Sequence, residues 1–401
     1  MKPWLAGLLG YQTTIPYGRQ SISLSDVRAV TKTLRSPFLT QGPMVEAFEN
    51  EINTFVGSEH SVAVNSATSA LHLACLALGV GPGDRVWTSA VTFVASANCA
   101  LYCGAKVDFV DIDEATYNMS VSALREKLEI AQQRGELPKV VIPVHLTGQS
   151  CEMAEIWGLA QQYGFKIIED ASHAIGGKYQ GQRIGACKYS DITVFSFHPV
   201  KIITTGEGGV ATTNCANLAK SMKSLRSHGI TRDLADMVYP DPSPWYYEQT
   251  ELGFNYRMTD IQAALGVSQL RRIEKFLERR HKIAAGYRQA LNSKLATAPA
   301  QHIDTWSSFH LFVIRVPSDL RAKVLDHLFN NGVRANLHYI PVYRQPYYAR
   351  LEFKANAFPE SERYFSEAIS LPMFPKLTKN KARKVIKYVN EALEPDFLGT
   401  E

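Results

Sequence analysis

The chain has 401 residues, 45% of them hydrophobic and 20% charged, with a formal net charge of +5. This composition suits a folded protein with one large and one smaller lobe, and excludes a disordered or fibrous chain. The mild positive balance suits an anionic small substrate, but ordinary scatter of surface charge produces the same figure.

Six cysteines at 75, 99, 103, 151, 187 and 215 form no Cys-x-x-Cys pair, so buried thiols in a reducing compartment are expected and no metal centre. The apolar start Met1–Gly10 is too short for a secretory core, and no uncharged stretch approaches membrane-helix length, so a cytoplasmic location is expected.

In chain order, residues 1–22 predict an extended arm. Ser23 or Ser25 caps a first helix through about Arg35, and Pro43 opens a second that Gly57 ends. Strand and helix then alternate. Strands are expected at 61–64, 84–87, 106–110, 140–144 and 165–168. Helices are expected at 67–78, 93–102, 120–133 and 151–163. Segments 191–197 and 209–213 add two strands, and such alternation predicts a mainly parallel sheet flanked by helices.

A long connection over 229–256 precedes a helical pattern from Thr259 to about Leu291. That pattern is a candidate spine, with Arg271-Arg272 and Arg279-Arg280 on a solvated face. A strand at 309–315 and helices at 319–330, 360–369 and 378–393 predict a smaller C-terminal α/β domain. The expected domains are therefore an arm over 1–22, a large domain over 23–265, and a spine with a small domain over 266–401.

The chemistry-bearing residues fall at strand ends, where open α/β sheets bind ligands. Asn65-Ser66-Ala67-Thr68-Ser69-Ala70 turns a strand into a helix whose free N–H groups can seat a phosphate; alone it is equally a plain helix cap. Phe93 could stack on a flat ring or pack in the core. Asp170 ends an apolar strand and needs a cationic or donor partner, with His173 three residues on. Lys201 follows Phe195-Ser196-Phe197-His198-Pro199-Val200 and precedes Gly206-Glu207-Gly208-Gly209. A lysine in apolar surroundings loses its proton more easily, and a neutral amine is what Schiff-base chemistry needs. A buried carboxylate together with such a lysine suits pyridoxal 5'-phosphate (PLP), whose ring nitrogen needs an anion and whose aldehyde needs an amine.

These segments resemble the DegT/DnrJ/EryC1/StrS family of PLP-dependent sugar aminotransferases. Ile15-Pro16-Tyr17-Gly18-Arg19, Leu39-Thr40-Gln41-Gly42-Pro43 and Gly253-Phe254-Asn255-Tyr256-Arg257-Met258-Thr259-Asp260 add to the likeness. The resemblance implies a fold-type I PLP-dependent transferase. Lys201 would hold the cofactor aldehyde and move the proton, and Asp170 would hold the pyridinium. Phe93 would stack on the ring, with His173 near its hydroxyl. Ala67, Thr68 and Ser196 would bind the phosphate, and Asn255 would reach a neighbouring subunit's cofactor in a homodimer with shared sites.

Asn336 to Tyr348, Pro244 to Glu248 and Ser370 to Pro375 resemble the pseudaminic-acid branch. Tyr17, His338 and Tyr339 would there contact a UDP-linked 4-keto sugar, with L-glutamate as amino donor. Tyr343-Arg344-Gln345-Pro346 departs from the His-Leu-Gln-Pro expected of that branch, so GDP- or dTDP-linked sugars stay open. A sugar dehydratase would carry histidine in place of Lys201, and a non-catalytic sensor on this fold would have no need of the Lys201–Asp170 pair.

Overall fold

The computed structural model describes residues 14–291 and 294–394; residues 1–13 of the expected arm lie outside them. A seven-stranded sheet organises the larger lobe. Its strands are β1 (His60–Val64), β2 (Arg85–Ser89), β3 (Lys106–Val110), β4 (Val140–Ile142), β5 (Lys166–Asp170), β6 (Ile192–Ser196) and β7 (Gly209–Thr213). They lie side by side in the order β1-β7-β6-β5-β4-β2-β3. All neighbours from β6 across to β3 run parallel, while β7 runs antiparallel to both β1 and β6.

The strands read as continuous apolar runs because both faces are covered. Val62 and Val64 pack on one face with helices α3 (Ala67–Ala77), α4 (Ala95–Tyr102) and α7 (Ala216–Arg226). Ala63 and Phe195 pack on the opposite face against α2 (Pro43–Val56). Further along that opposite face, Trp87, Val141 and Ile167 meet α5 (Val121–Arg134) and α6 (Met153–Tyr163). Helix α7 was not read in the sequence. It precedes the long connection, which folds back as a short hairpin pairing Ile230–Thr231 with Glu248–Gln249.

Helix α1 (Leu24–Leu34) starts in a reciprocal box between Ser23 and Asp26. Helix α2 starts on Gly42, which has no capping side chain of its own. The carboxylate of Asp260 accepts instead from Gly42 N at 2.8 Å and Met44 N at 2.9 Å. The left-handed Gly57 (φ 83°) closes that helix, a conformation that favours glycine.

The expected spine is two helices, α8 (Asp260–Leu270) and α9 (Ile273–Ala290). Between them Arg272 leaves helical geometry at φ −114°, ψ 4°, and its guanidinium pairs with the buried Asp26. The solvated arginine face is also corrected. Arg271 is exposed beside Glu51, but Arg280 is fully buried and donates to the carbonyls of Phe309, His310 and Met373.

The C-terminal lobe is built on β8 (Phe312–Arg315) antiparallel to β9 (Ala368–Leu371), with α10 (Ser318–Asn330), α11 (Pro359–Glu367) and α12 (Lys379–Ala392) around them. The expected strand start at 309 is lost because Phe309 turns to φ 47° and Arg280 occupies its carbonyl and that of His310. The expected helix over 360–369 ends at Glu367, where the fully buried strand β9 pairs with β8 instead. Ile15 bridges Val333 and packs in the core of this lobe, which carries Tyr17 to the cleft. Among the described residues no helix is long and apolar enough to cross a membrane.

Candidate active site

A cavity of about 620 Å³ opens at the carboxyl ends of β1, β2, β5 and β6. Its lining brings together Tyr17, Ala67, Thr68, Phe93, Asp170, His173, Ser196, Lys201, His338 and Tyr339, all singled out in the sequence. Asn255 is exposed and does not line it; its backbone bridges Ser227. The Pro244–Glu248 segment also stays away, with Trp245 71% exposed in the hairpin loop.

Lys201 stands in a tight loop between β6 and β7. Its N–H donates to His198 O at 2.9 Å, and Thr204 Oγ1 and Thr205 N both tie back to Phe197 O. Burial pushes its amine down to about 8, although the nearby Asp170 carboxylate works in the opposite direction. The result is an amine far easier to deprotonate than a surface lysine.

Asp170 is the last residue of β5, and strand alternation decides its role. Glu169 points to the other face and is spent there on His145 Nε2 at 2.7 Å, Ser190 and Thr193. Asp170, 4% exposed, faces the cavity. Its Oδ2 accepts from Ser96 Oγ at 2.7 Å and its Oδ1 from Ser172 N at 3.0 Å. Two donors steady the carboxylate and leave lone pairs for a cationic ring nitrogen.

Helix α3 begins at Ala67, with Ser66 Oγ accepting from Ser69 N at 3.1 Å. The plain cap reading of Ser66 is therefore correct, and the N–H groups of the first turn remain for an anion. Gly209 lies against this turn so closely that a Cβ would fall 2.5 Å from Ala67 N. Ser196, at the end of β6, lines the same cavity. Phe93, expected to open helix α4, sits two residues before it and is 55% exposed toward the cavity, its ring 6.0 Å from that of Tyr339.

The far wall comes from the C-terminal lobe. His338 Nδ1 lies 2.9 Å from Ser370 Oγ, and its carbonyl accepts from Tyr364 Oη. Its ring stands 5.2 Å from that of Tyr17. Burial and the Lys201 charge hold His338 down to about 4, so it is neutral. His173 Nε2 lies 3.1 Å from Tyr339 Oη.

The sequence reading missed His310, whose ring centroid is 4.4 Å from that of His173, and Ser96, which holds Asp170. Ser96 is the second residue of α4, three residues after Phe93, and that position was its one signal in the sequence. His310 lay inside a segment read as strand. Among the described residues no cluster suits a metal ion.

A dry carboxylate, a desolvated amine, a helix-start anion cradle and an exposed aromatic meet in one cavity. These are the elements that PLP requires, and a transaminase uses them to shuttle an amino group. A profile of the DegT/DnrJ/EryC1/StrS aminotransferase family matches residues 20–390. The chain belongs to that family, and it is a PLP-dependent sugar aminotransferase of fold-type I.

The chain is 38% identical over 388 residues to the spore coat polysaccharide biosynthesis protein SpsC of Bacillus subtilis, covering 95% of this chain and 97% of that one. It is 34% identical over 376 residues to the UDP-4-amino-4,6-dideoxy-N-acetyl-beta-L-altrosamine transaminase of Campylobacter jejuni, covering 92% and 95%. The structure of Helicobacter pylori PseC, an aminotransferase involved in the biosynthesis of pseudoaminic acid, superposes with a TM-score of 0.86. The identity there is 29%, with 94% of this chain and 99% of that one covered.

Proposed function

We propose that this enzyme moves the amino group of L-glutamate to C4 of a UDP-linked 4-keto-6-deoxy-N-acetylhexosamine. The product is a 4-amino-4,6-dideoxy sugar nucleotide for pseudaminic acid or a related surface glycan. The observation that carries the reaction is the meeting of the desolvated Lys201 amine with the buried Asp170 carboxylate in one cavity. The Campylobacter transaminase and PseC support the sugar class.

In this reading Asp170 holds the cofactor's ring nitrogen protonated. Ala67, Thr68 and Ser196 bind its phosphate, and Phe93 covers its ring. PLP supplies an electron sink that makes the α-hydrogen of the amino donor acidic. Lys201, as a neutral amine, would take that proton and deliver it to the cofactor's C4′ carbon, serving as base and then acid. Tyr17, His338 and Tyr339 line the side where the sugar enters. His338, held neutral, adds no charge to Lys201's surroundings. Asn255 serves the cofactor phosphate of a second copy in a homodimer.

Tyr343 and Arg344, which depart from the sequence expected of the pseudaminic-acid branch, do not enter the cavity lining. Both are turned to Glu362, with Tyr343 Oη 2.7 Å from its Oε1. The departure therefore lies outside the cavity lining.

A panel of UDP-, GDP- and dTDP-linked 4-keto sugars, each with glutamate, tests the reading, with products analysed by mass and NMR. Amination of the UDP N-acetyl sugar at C4 is expected. Turnover confined to GDP- or dTDP-linked sugars would replace the substrate. A protein inert toward all of them, whose cofactor spectrum ignores glutamate, would favour a sensor.

A further inference from the structure

The last two residues of β5 are both carboxylates, both buried, and on opposite faces of the sheet: Asp170 at the cavity and Glu169 behind it. His145 holds the two together. Its main-chain N–H donates to Asp170 O at 3.0 Å, and its ring Nε2 lies 2.7 Å from Glu169 Oε2. The other carboxylate oxygen of Glu169 accepts from Ser190 Oγ and from Thr193 Oγ1 at 2.9 Å. Burial raises the Glu169 pKa, but these hydrogen bonds bring it below the ordinary value, so the group is an anion.

How far that charge is felt depends on His145. An imidazolium would neutralise Glu169; a neutral ring leaves a full negative charge inside the protein. Burial disfavours the imidazolium, whereas Cys151 and Glu169, both as anions, would lift the His145 pKa to about 10. Two contacts exclude that second proton. The Cys151 N–H donates to His145 Nδ1 at 3.1 Å, and a ring nitrogen that accepts from an amide carries no hydrogen of its own. The Cys151 thiol is not an anion either, because its Sγ donates to Val144 O at 3.2 Å. The single proton of His145 is therefore on Nε2 and is donated to Glu169.

Among the described residues no lysine or arginine cancels the charge instead. Arg183 and Lys188 line the small hollow beside Glu169. Arg183 donates to Gly176 O and pairs with Glu274, and Lys188 lies over the Tyr189 ring. The Cys187 thiol in the same hollow is pushed up to about 11 by burial and by this carboxylate, and stays neutral.

We propose that Glu169 is a second, uncompensated carboxylate that backs Asp170 through the sheet and strengthens its hold on the protonated ring nitrogen of the cofactor. A negative charge close by favours the protonated ring. Glu169 is thus a positioning residue that acts through Asp170, and the neutral His145 holds it without cancelling its charge. The effect on the cofactor rests on Asp170 as the partner of that nitrogen; the charge of the Glu169–His145 pair does not.

Two measurements test it. Long-range nitrogen spectra of the full-length, cofactor-loaded protein labelled with [15N]histidine report the tautomer of each ring, with His145 assigned by the signal lost in His145→Gln. His145 is expected as the neutral Nε2–H form from about pH 6 to 9. An imidazolium in that interval, or an Nδ1–H form, would overturn the proposal.

The second uses PLP labelled with 15N in its ring, bound to the wild type and to Glu169→Gln, which keeps the shape of the side chain and removes its charge. In the variant, the pH at which half of the ring nitrogens have lost their proton should fall by about one unit, a tenfold change. That is the size of one charge acting between neighbouring residues of a protein interior. Identical nitrogen spectra at every pH, from two proteins of equal melting temperature, would refute the proposal, since a purely structural Glu169 leaves the ring nitrogen untouched. Asp170→Ala should strip the proton from the ring nitrogen. A proton retained there would remove Asp170 from the ring and the proposal with it, while the histidine spectra would still report the charge of the pair.

Discussion

Ser96 gives the sharpest test of how the cofactor acid is held. Ser96 is fully buried in the first turn of α4; its hydroxyl donates to Asp170 Oδ2 at 2.7 Å and is placed by Thr92 Oγ1 at 2.8 Å. A hydrogen bond to a charged group contributes about 1.5–3 kcal/mol, more than a neutral pair. Ser96→Ala removes it and strands the Thr92 hydroxyl, while the Ser172 N–H at 3.0 Å stays on the other carboxylate oxygen. The carboxylate is then steadied from one side only. Cofactor affinity should fall by about 10- to 100-fold, the part of that energy which an entering water does not restore. Fluorescence titration of the cofactor-free protein with PLP measures the Kd, and thermal melting of the same protein reports any loss of fold. A Kd within about twofold of wild type would show that Ser96 does not support Asp170, and the reasoning would fail.

Three further outcomes follow from the same geometry. Lys201→Ala should bind PLP without forming the covalent link and show no turnover; normal turnover would remove Lys201 from the reaction. Rebinding of PLP by the cofactor-free enzyme should accelerate as pH rises through about 8, because the amine attacks only when neutral and its pKa is lowered to about 8. A midpoint near the ordinary lysine value would contradict the desolvation of Lys201. Arg280→Leu should cost about 2–5 kcal/mol in denaturant melts, since three buried carbonyls lose their donor while the cost of the buried charge is relieved. An unchanged melting midpoint would mean that those carbonyls are satisfied otherwise.

Most of the sheet was legible because its strands are buried on both faces and read as apolar runs. Segments 106–110 and 209–213 fall where the sequence placed them. Asp170 and Ser196 were legible for a related reason: each closes a strand, where side-chain direction follows from alternation, whereas Tyr17, His338 and Tyr339 came from the family resemblance alone. Three of the failures share one cause. Helix α8 was run through Arg271 and Arg272 because no proline or glycine marks the break; the signal is Asp26, far away in the chain. Residues 368–371 continue the helical pattern of 360–367, and only pairing with Phe312–Arg315 makes them a strand. His310 was hidden because Arg280, a residue that reads as surface charge, pins its backbone out of the strand. Long-range polar contacts leave no periodic trace, so they decided what local pattern could not.

The carboxylate of Asp260 that starts helix α2 lies 218 residues downstream of Gly42. Likewise, Asp111 serves the first turn of α11 across 249 and 250 residues, taking the N–H groups of Glu360 and Ser361. Two helices thus borrow their opening signal from remote parts of the chain. A polypeptide emerging from the ribosome holds α2 with a ragged front end until the stretch around residue 260 has been made and has docked. Completion of the scaffold is in this way registered at the threshold of its second helix, and a truncated chain should betray itself there first, by rapid amide exchange at Met44.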